Sequence, residues 1–198
     1  MNIKNVSYNM ILSHTFPGIL LECEILLAFQ LFSPSNIINK VSAFAQANVS
    51  NIVFFFALFF VLATIFGVIL DGIHHLIFRK QENETYGIYK YITSLERMQI
   101  VRGLLDDDFW YPYEAYANIW ISMTPGLILL PYWMVTLQFH LAFVAGIMAV
   151  YVAVFELMRR EAISTLKMYK KTEIELIEAF KGTQPNPHRN VQGENDDE

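Results

Sequence analysis

Cysteine is almost missing from this sequence. Cys23 stands alone among 198 residues, which excludes a disulfide framework and any Cys-rich metal motif. Between Glu22 and Glu24 in an apolar stretch, it reads as a small packing residue. Basic residues are scarce as well: 14 Lys and Arg against 19 Asp and Glu leave a net charge of -5. No basic block stands apart from the flanks of the apolar runs, so the chain lacks the face that nucleic-acid phosphates require. Internal repeats are also lacking.

What the chain has instead is apolar surface. With 54% hydrophobic residues and a mean hydropathy of +0.33, it is too apolar for a soluble domain of this length and falls in the membrane class. Its Tyr and Trp cluster beside the apolar runs, where amphipathic rings favour the membrane interface.

A bilayer core takes about 20 apolar residues as helix, and four segments meet that need, at about 16–32, 52–78, 115–133 and 137–158. Pro17 suits the first turn of the first span, since the N–H it lacks would have no partner there; Ser33 and Pro34 close it. The second span runs through Asp71, His74 and His75 to Phe78 before Arg79 and Lys80. Thr124, Pro125 and Gly126 predict a kink in the third span, with Ser122 or Thr124 hydrogen-bonding the carbonyls that the proline frees. The expected fold is an all-α four-helix transmembrane bundle over 1–182, followed by an acidic disordered tail over 183–198.

Lys and Arg are retained in the cytoplasm. Thirteen of the 14 fall on one side of the four-span arrangement and Lys40 on the other, which predicts a multi-pass protein of the cell membrane with both termini cytoplasmic. The segment 33–51 and the turn near 132–138 are then outside, and Asn48-Val49-Ser50 is a glycosylation sequon in that outer loop. Ala43-Phe44-Ala45 resembles a signal-peptidase site, but its distance from the apolar run and the two glutamates within that run disfavour cleavage.

Two cytoplasmic elements follow from helical periodicity. An amphipathic helix is expected over 86–105, carrying Ile88, Ile92, Leu95, Met98 and Val101 on one face. The fourth helix continues past Phe155 with Ile163, Leu166, Tyr169 and Ile177 on one stripe and ends near Gly182. Helices 86–105 and 156–181 are candidate surfaces for a protein partner. Between them, Asp106-Asp107-Asp108 reads as an acidic turn leading into an aromatic anchor from Phe109 to Tyr113.

Ionisable groups inside a membrane are costly and mark function. Glu22 and Glu24 lie in the first span, and Asp71, His74 and His75 at the cytoplasmic end of the second. Glu114 begins the third span and Glu156 ends the fourth, whereas His140 lies at the outer boundary. Positions 71, 74 and 75 are spaced i, i+3 and i+4, which stacks a carboxylate and two imidazoles on one helical face. Carboxylates and histidines drawn from facing helices are how bundles hold metals.

The candidate metal ligands are therefore Glu22, Glu24, Asp71, His74, His75, Glu114 and Glu156, with iron, zinc or manganese as the ion. Glu22, Glu24 and Asp71 are the candidate acid–base groups. Three functions fit: a metal-dependent or acid–base membrane enzyme acting on a lipid or membrane-anchored substrate, a small cation or proton transporter, and a partner-binding subunit.

Overall fold

A computed structural model describes residues 11–32, 37–46, 49–82, 88, 92 and 94–182, and no strand occurs among the described residues. Helix α1 (Phe16–Phe32) covers the expected first span and is preceded by a π-helical turn, Ile11–Thr15. Helix α2 (Ile37–Gln46) lies in the segment read from sequence as an outer loop, and it packs on α1 and α3. Helix α3 (Val49–Glu82) has 34 residues, about 51 Å of helix against a hydrocarbon core of about 30 Å. It therefore carries its polar end, from Asp71 to Glu82, well past its Phe-rich stretch.

Two glycines set the distance between α1 and α3. A Cβ at Gly18 would collide with the Ala63 carbonyl, and one at Gly67 with the carbonyl of His14. Small residues at such points let membrane helices approach backbone to backbone. The pairings 14 with 67 and 18 with 63 also fix the antiparallel register of the two helices.

The third span differs from its expected form. Helix α4 (Leu95–Arg102) is capped by the Ser94 hydroxyl, which accepts from the Arg97 N–H at 3.4 Å. It passes through a π-helical segment, Gly103–Trp110, into α5 (Tyr111–Ser122) without leaving helical geometry at either junction. Asp106, Asp107 and Asp108 accordingly belong to a helix and not to a turn. A π turn is wider than an α turn, and here it ends just before Pro112, giving that ring room against the preceding carbonyls. The regular helix begins at Leu95. Of 86–93, the first part of the expected amphipathic helix, only Ile88 and Ile92 are described, and both are buried.

The chain breaks at Met123–Pro125 and resumes as α6 (Gly126–Thr136), bent by 41° from the helix before it. Thr124 makes the expected repair, its Oγ1 donating to the Trp120 carbonyl at 3.3 Å, whereas Ser122 Oγ donates at 2.8 Å to the Ile119 carbonyl, which also accepts from the Met123 N–H. Gln138, at positive φ, turns the chain into α7 (Leu141–Gly182), a single helix of 42 residues. Its last third packs on a core of Ile88, Ile92, Leu105, Trp110, Tyr113 and Tyr169, where Glu173 accepts from the backbone N–H of Ile88 at 3.2 Å.

Three helices are long and apolar enough to cross a membrane, or four when the bent pair counts as one span. Their outward faces carry exposed apolar residues such as Phe54, Phe56, Phe60, Val150 and Val152. Cys23 is on an exposed face of α1, in place of the packing position expected from its neighbours. The tail, 183–198, and the sequon residue Asn48 lie outside the described residues.

Candidate metal centre

The helical spacing of Asp71, His74 and His75 has the consequence expected of it: one ligand atom from each lies within 4.8 Å of the others. The two imidazoles stack with centroids 4.8 Å apart and planes 26° apart, and a carboxylate faces each edge of the stack. On one edge, Asp71 comes within 3.7 Å of His74 Nδ1 and 3.5 Å of His75 Nε2. On the other, Glu82 comes within 3.2 Å of His74 Nε2 and 2.8 Å of His75 Nδ1. Glu82 stands seven and eight residues beyond the histidines, two helical turns along the same face.

His74 is fully buried, and neither of its ring nitrogens has a hydrogen bond. The carboxylates approach it at charge-pairing distance but off the line of an N–H. Burial alone would raise the Glu82 carboxyl, but the imidazoles of His74 and His75 at its oxygens hold it below the usual carboxylate range.

Neighbouring elements complete the surroundings. Tyr113 donates to Glu82 at 3.1 Å, and its ring meets His74 edge-on. Trp110 stacks on His75 and donates its indole N–H to Glu114, which is buried beside the cluster and within electrostatic reach of Asp71, His74 and His75. Asn118 donates to Asp71 at 3.1 Å and to the Ser13 carbonyl at 2.8 Å, joining α5 to both α3 and the turn before α1. From that turn His14 reaches Asp71 with Nε2 at 3.8 Å, while its Nδ1 is 2.6 Å from Ser13 Oγ.

His14 and Glu82 are absent from the sequence-based candidates. Glu82 could have been found from its place on the face of Asp71 and His75. Nothing local marks His14, because its place depends on the register between two helices.

The other sequence candidates stand elsewhere. In the register fixed by Gly18 and Gly67, Glu22 is level with Phe59, and the twelve residues from there to Asp71 are about 18 Å of helix. Glu22 borders an apolar groove of about 240 Å³ with Phe29, Phe55, Phe59 and Phe66. Glu24 meets the helix break, where the Tyr151 hydroxyl is 2.8 Å from both its carboxylate and the Met123 carbonyl. Glu156 is paired on its own helix with Arg159 and Arg160 at 2.7 and 2.9 Å.

No protein-family model, curated protein or solved structure matches this chain. The functional reading rests on the geometry of the cluster.

Proposed function

We propose that this chain is a four-span protein of the cell membrane with both termini cytoplasmic. Asp71, His74 and His75 hold a divalent cation near the cytoplasmic leaflet, for metal-dependent or acid–base chemistry on a lipid or membrane-anchored substrate. The carrying observation is the convergence of these three ligand atoms within 4.8 Å, with His74 buried and Asp71 and His75 partly buried. Imidazole and carboxylate ligands suit zinc, iron or manganese, and a bound cation can polarise a carbonyl or phosphoryl oxygen or activate water.

The His75 side chain is 40% exposed while that of His74 is fully buried, so the cluster is open on one side. Glu114 is the nearby carboxyl for proton transfer, oriented by Trp110. Glu22, Glu24 and Glu156 take no part in this reading.

Metal analysis of the detergent-purified protein tests the proposal, followed by incubation with phospholipid vesicles and mass spectrometry of the products. Stoichiometric zinc, iron or manganese, lost in Asp71→Asn, together with metal-dependent lipid turnover is the expected result. Protein that takes up none of the three metals overturns it.

A partner-binding role is the second reading. It is favoured by Ile100 and Leu104 on the α4 stretch and by Met168 and Ile174 on α7, apolar side chains left exposed outside the long hydrophobic runs.

A further inference from the structure

Asp71 and Glu82 face the same pair of imidazoles at different distances, and the difference is chemical. An N–H···O hydrogen bond spans about 2.7 to 3.2 Å, and His75 Nδ1 makes one with Glu82 at 2.8 Å, while His74 Nε2 stands 3.2 Å from the same carboxylate without one. The three nitrogens around Asp71 stand farther off and face both of its oxygens: His75 Nε2 and His14 Nε2 are 3.5 and 3.8 Å from Oδ2, and His74 Nδ1 is 3.7 Å from Oδ1. A tetrahedral zinc ion with bonds of about 2.0 to 2.1 Å holds its ligand atoms about 3.3 to 3.4 Å apart. The Asp71 edge is thus spaced more widely than direct hydrogen bonds, with room for an ion to draw the groups in, whereas Glu82 is in direct contact with His75.

We infer that His14 Nε2 is a fourth protein ligand, so that the cation is held between the first two membrane helices by three imidazoles and the Asp71 carboxylate. Glu82 then grips the opposite nitrogens of His74 and His75 from outside the coordination sphere. This assignment rests on the metal-centre reading above and completes its ligand set.

Three further observations support it. Each proposed histidine ligand has its other nitrogen turned toward an oxygen, Ser13 Oγ for His14 and Glu82 for His74 and His75. Such outer partners are what fix the ring and tautomer of metal-bound histidines. Both ring nitrogens of His74 are fully buried without a hydrogen bond, a costly state that coordination through Nδ1 would relieve on one side. The charge type also fits a cation: the Asp71 and Glu82 carboxylates face the imidazoles, with Glu114 nearby. Zinc can expand to five ligands, and the exposed His75 side of the cluster is where a substrate oxygen would enter.

The test uses the full-length protein in detergent, stripped with a chelator and titrated with zinc against a chromophoric competitor. Wild type is expected to bind one zinc. His14→Gln should weaken binding at least 100-fold, and Glu82→Gln about 10- to 100-fold, the range seen for outer-sphere partners.

Should His14→Gln fail to stay monodisperse, His14→Cys loaded with cobalt decides. A direct ligand gives a thiolate-to-cobalt absorption band in the near ultraviolet, and a neighbour outside the coordination sphere gives none. If wild type binds zinc, His14→Gln matches it and His14→Cys shows no band, His14 is not a ligand and the three-residue centre stands without it. If wild type binds neither zinc nor cobalt, both readings fall together.

Discussion

Gly67 lies directly against the backbone of His14, where a single added methyl would strike the His14 carbonyl. That contact joins the turn before α1 to the α3 face that carries Asp71 one helical turn away. Gly67→Ala should push the two elements apart, costing about 1 to 3 kcal/mol for overpacking and weakening zinc uptake at least tenfold. Gly146→Ala, with open space around its Cβ position, should change neither. Thermal unfolding in detergent and competitive zinc titration measure both.

Zinc removal should destabilise the fold itself, because the proposed ligands come from two helices and the unfolded chain holds no such site. At zinc concentrations 100 times the dissociation constant, the expected gain is about 2.7 kcal/mol. An unfolding midpoint that ignores both chelator and added zinc would exclude a metal bridge between α1 and α3.

At the helix break, Gly126 sits against the Tyr151 hydroxyl and the Glu24 carboxyl. Gly126→Ala should cost about 1 to 3 kcal/mol through overpacking. Tyr151→Phe removes one hydroxyl that bridges Glu24 and the Met123 carbonyl and, if this helix spans the membrane, should cost roughly 0.6 to 1.7 kcal/mol. Zinc affinity should stay unchanged in both, since Glu24 stands apart from Asp71. A large loss of zinc binding in Tyr151→Phe would contradict that separation.

Orientation is measurable by labelling. In a Cys23→Ser background, cysteines at Ser50 and Gln99, both exposed, should react with an impermeant reagent from opposite faces of the membrane. Equal reactivity from one face would refute the four-span arrangement.

In the core beside the histidine pair, Trp110 touches His75, Tyr113, Glu114 and Tyr169. Trp110→Ala should cost about 3 to 5 kcal/mol as a large-to-small change in a packed core. Trp110→Phe should keep most of that stability but release Glu114, lowering turnover on lipid more than zinc affinity. Equal losses of both would make Trp110 a structural residue only.

The features legible in the sequence were those with local causes. The apolar run closed by Ser33 and Pro34 became α1, Pro125 broke the third span, and the apolar stripe through Leu166 and Tyr169 carried α7 to Gly182. Within the centre, i, i+3 and i+4 spacing was enough to place Asp71, His74 and His75 together. Helix register was not legible. Counting residues from the ends of apolar runs put Glu22 and Glu24 level with Asp71, whereas close packing at Gly18 and Gly67 slides α1 until His14 stands nearest to it. The π-helical segment escaped for a similar reason, since three adjacent aspartates look like a turn unless the helices on both sides are known to be continuous.

Helix α7, at 42 residues, is about 63 Å long, twice the thickness of the hydrocarbon it would cross. Its first half bears the tyrosine at the helix break, and its far half bears Tyr169, in ring contact with the tryptophan that stacks on His75. An unbroken rod of that length transmits tilt with little loss. A load placed on its far half would be felt at both the break and the histidine pair.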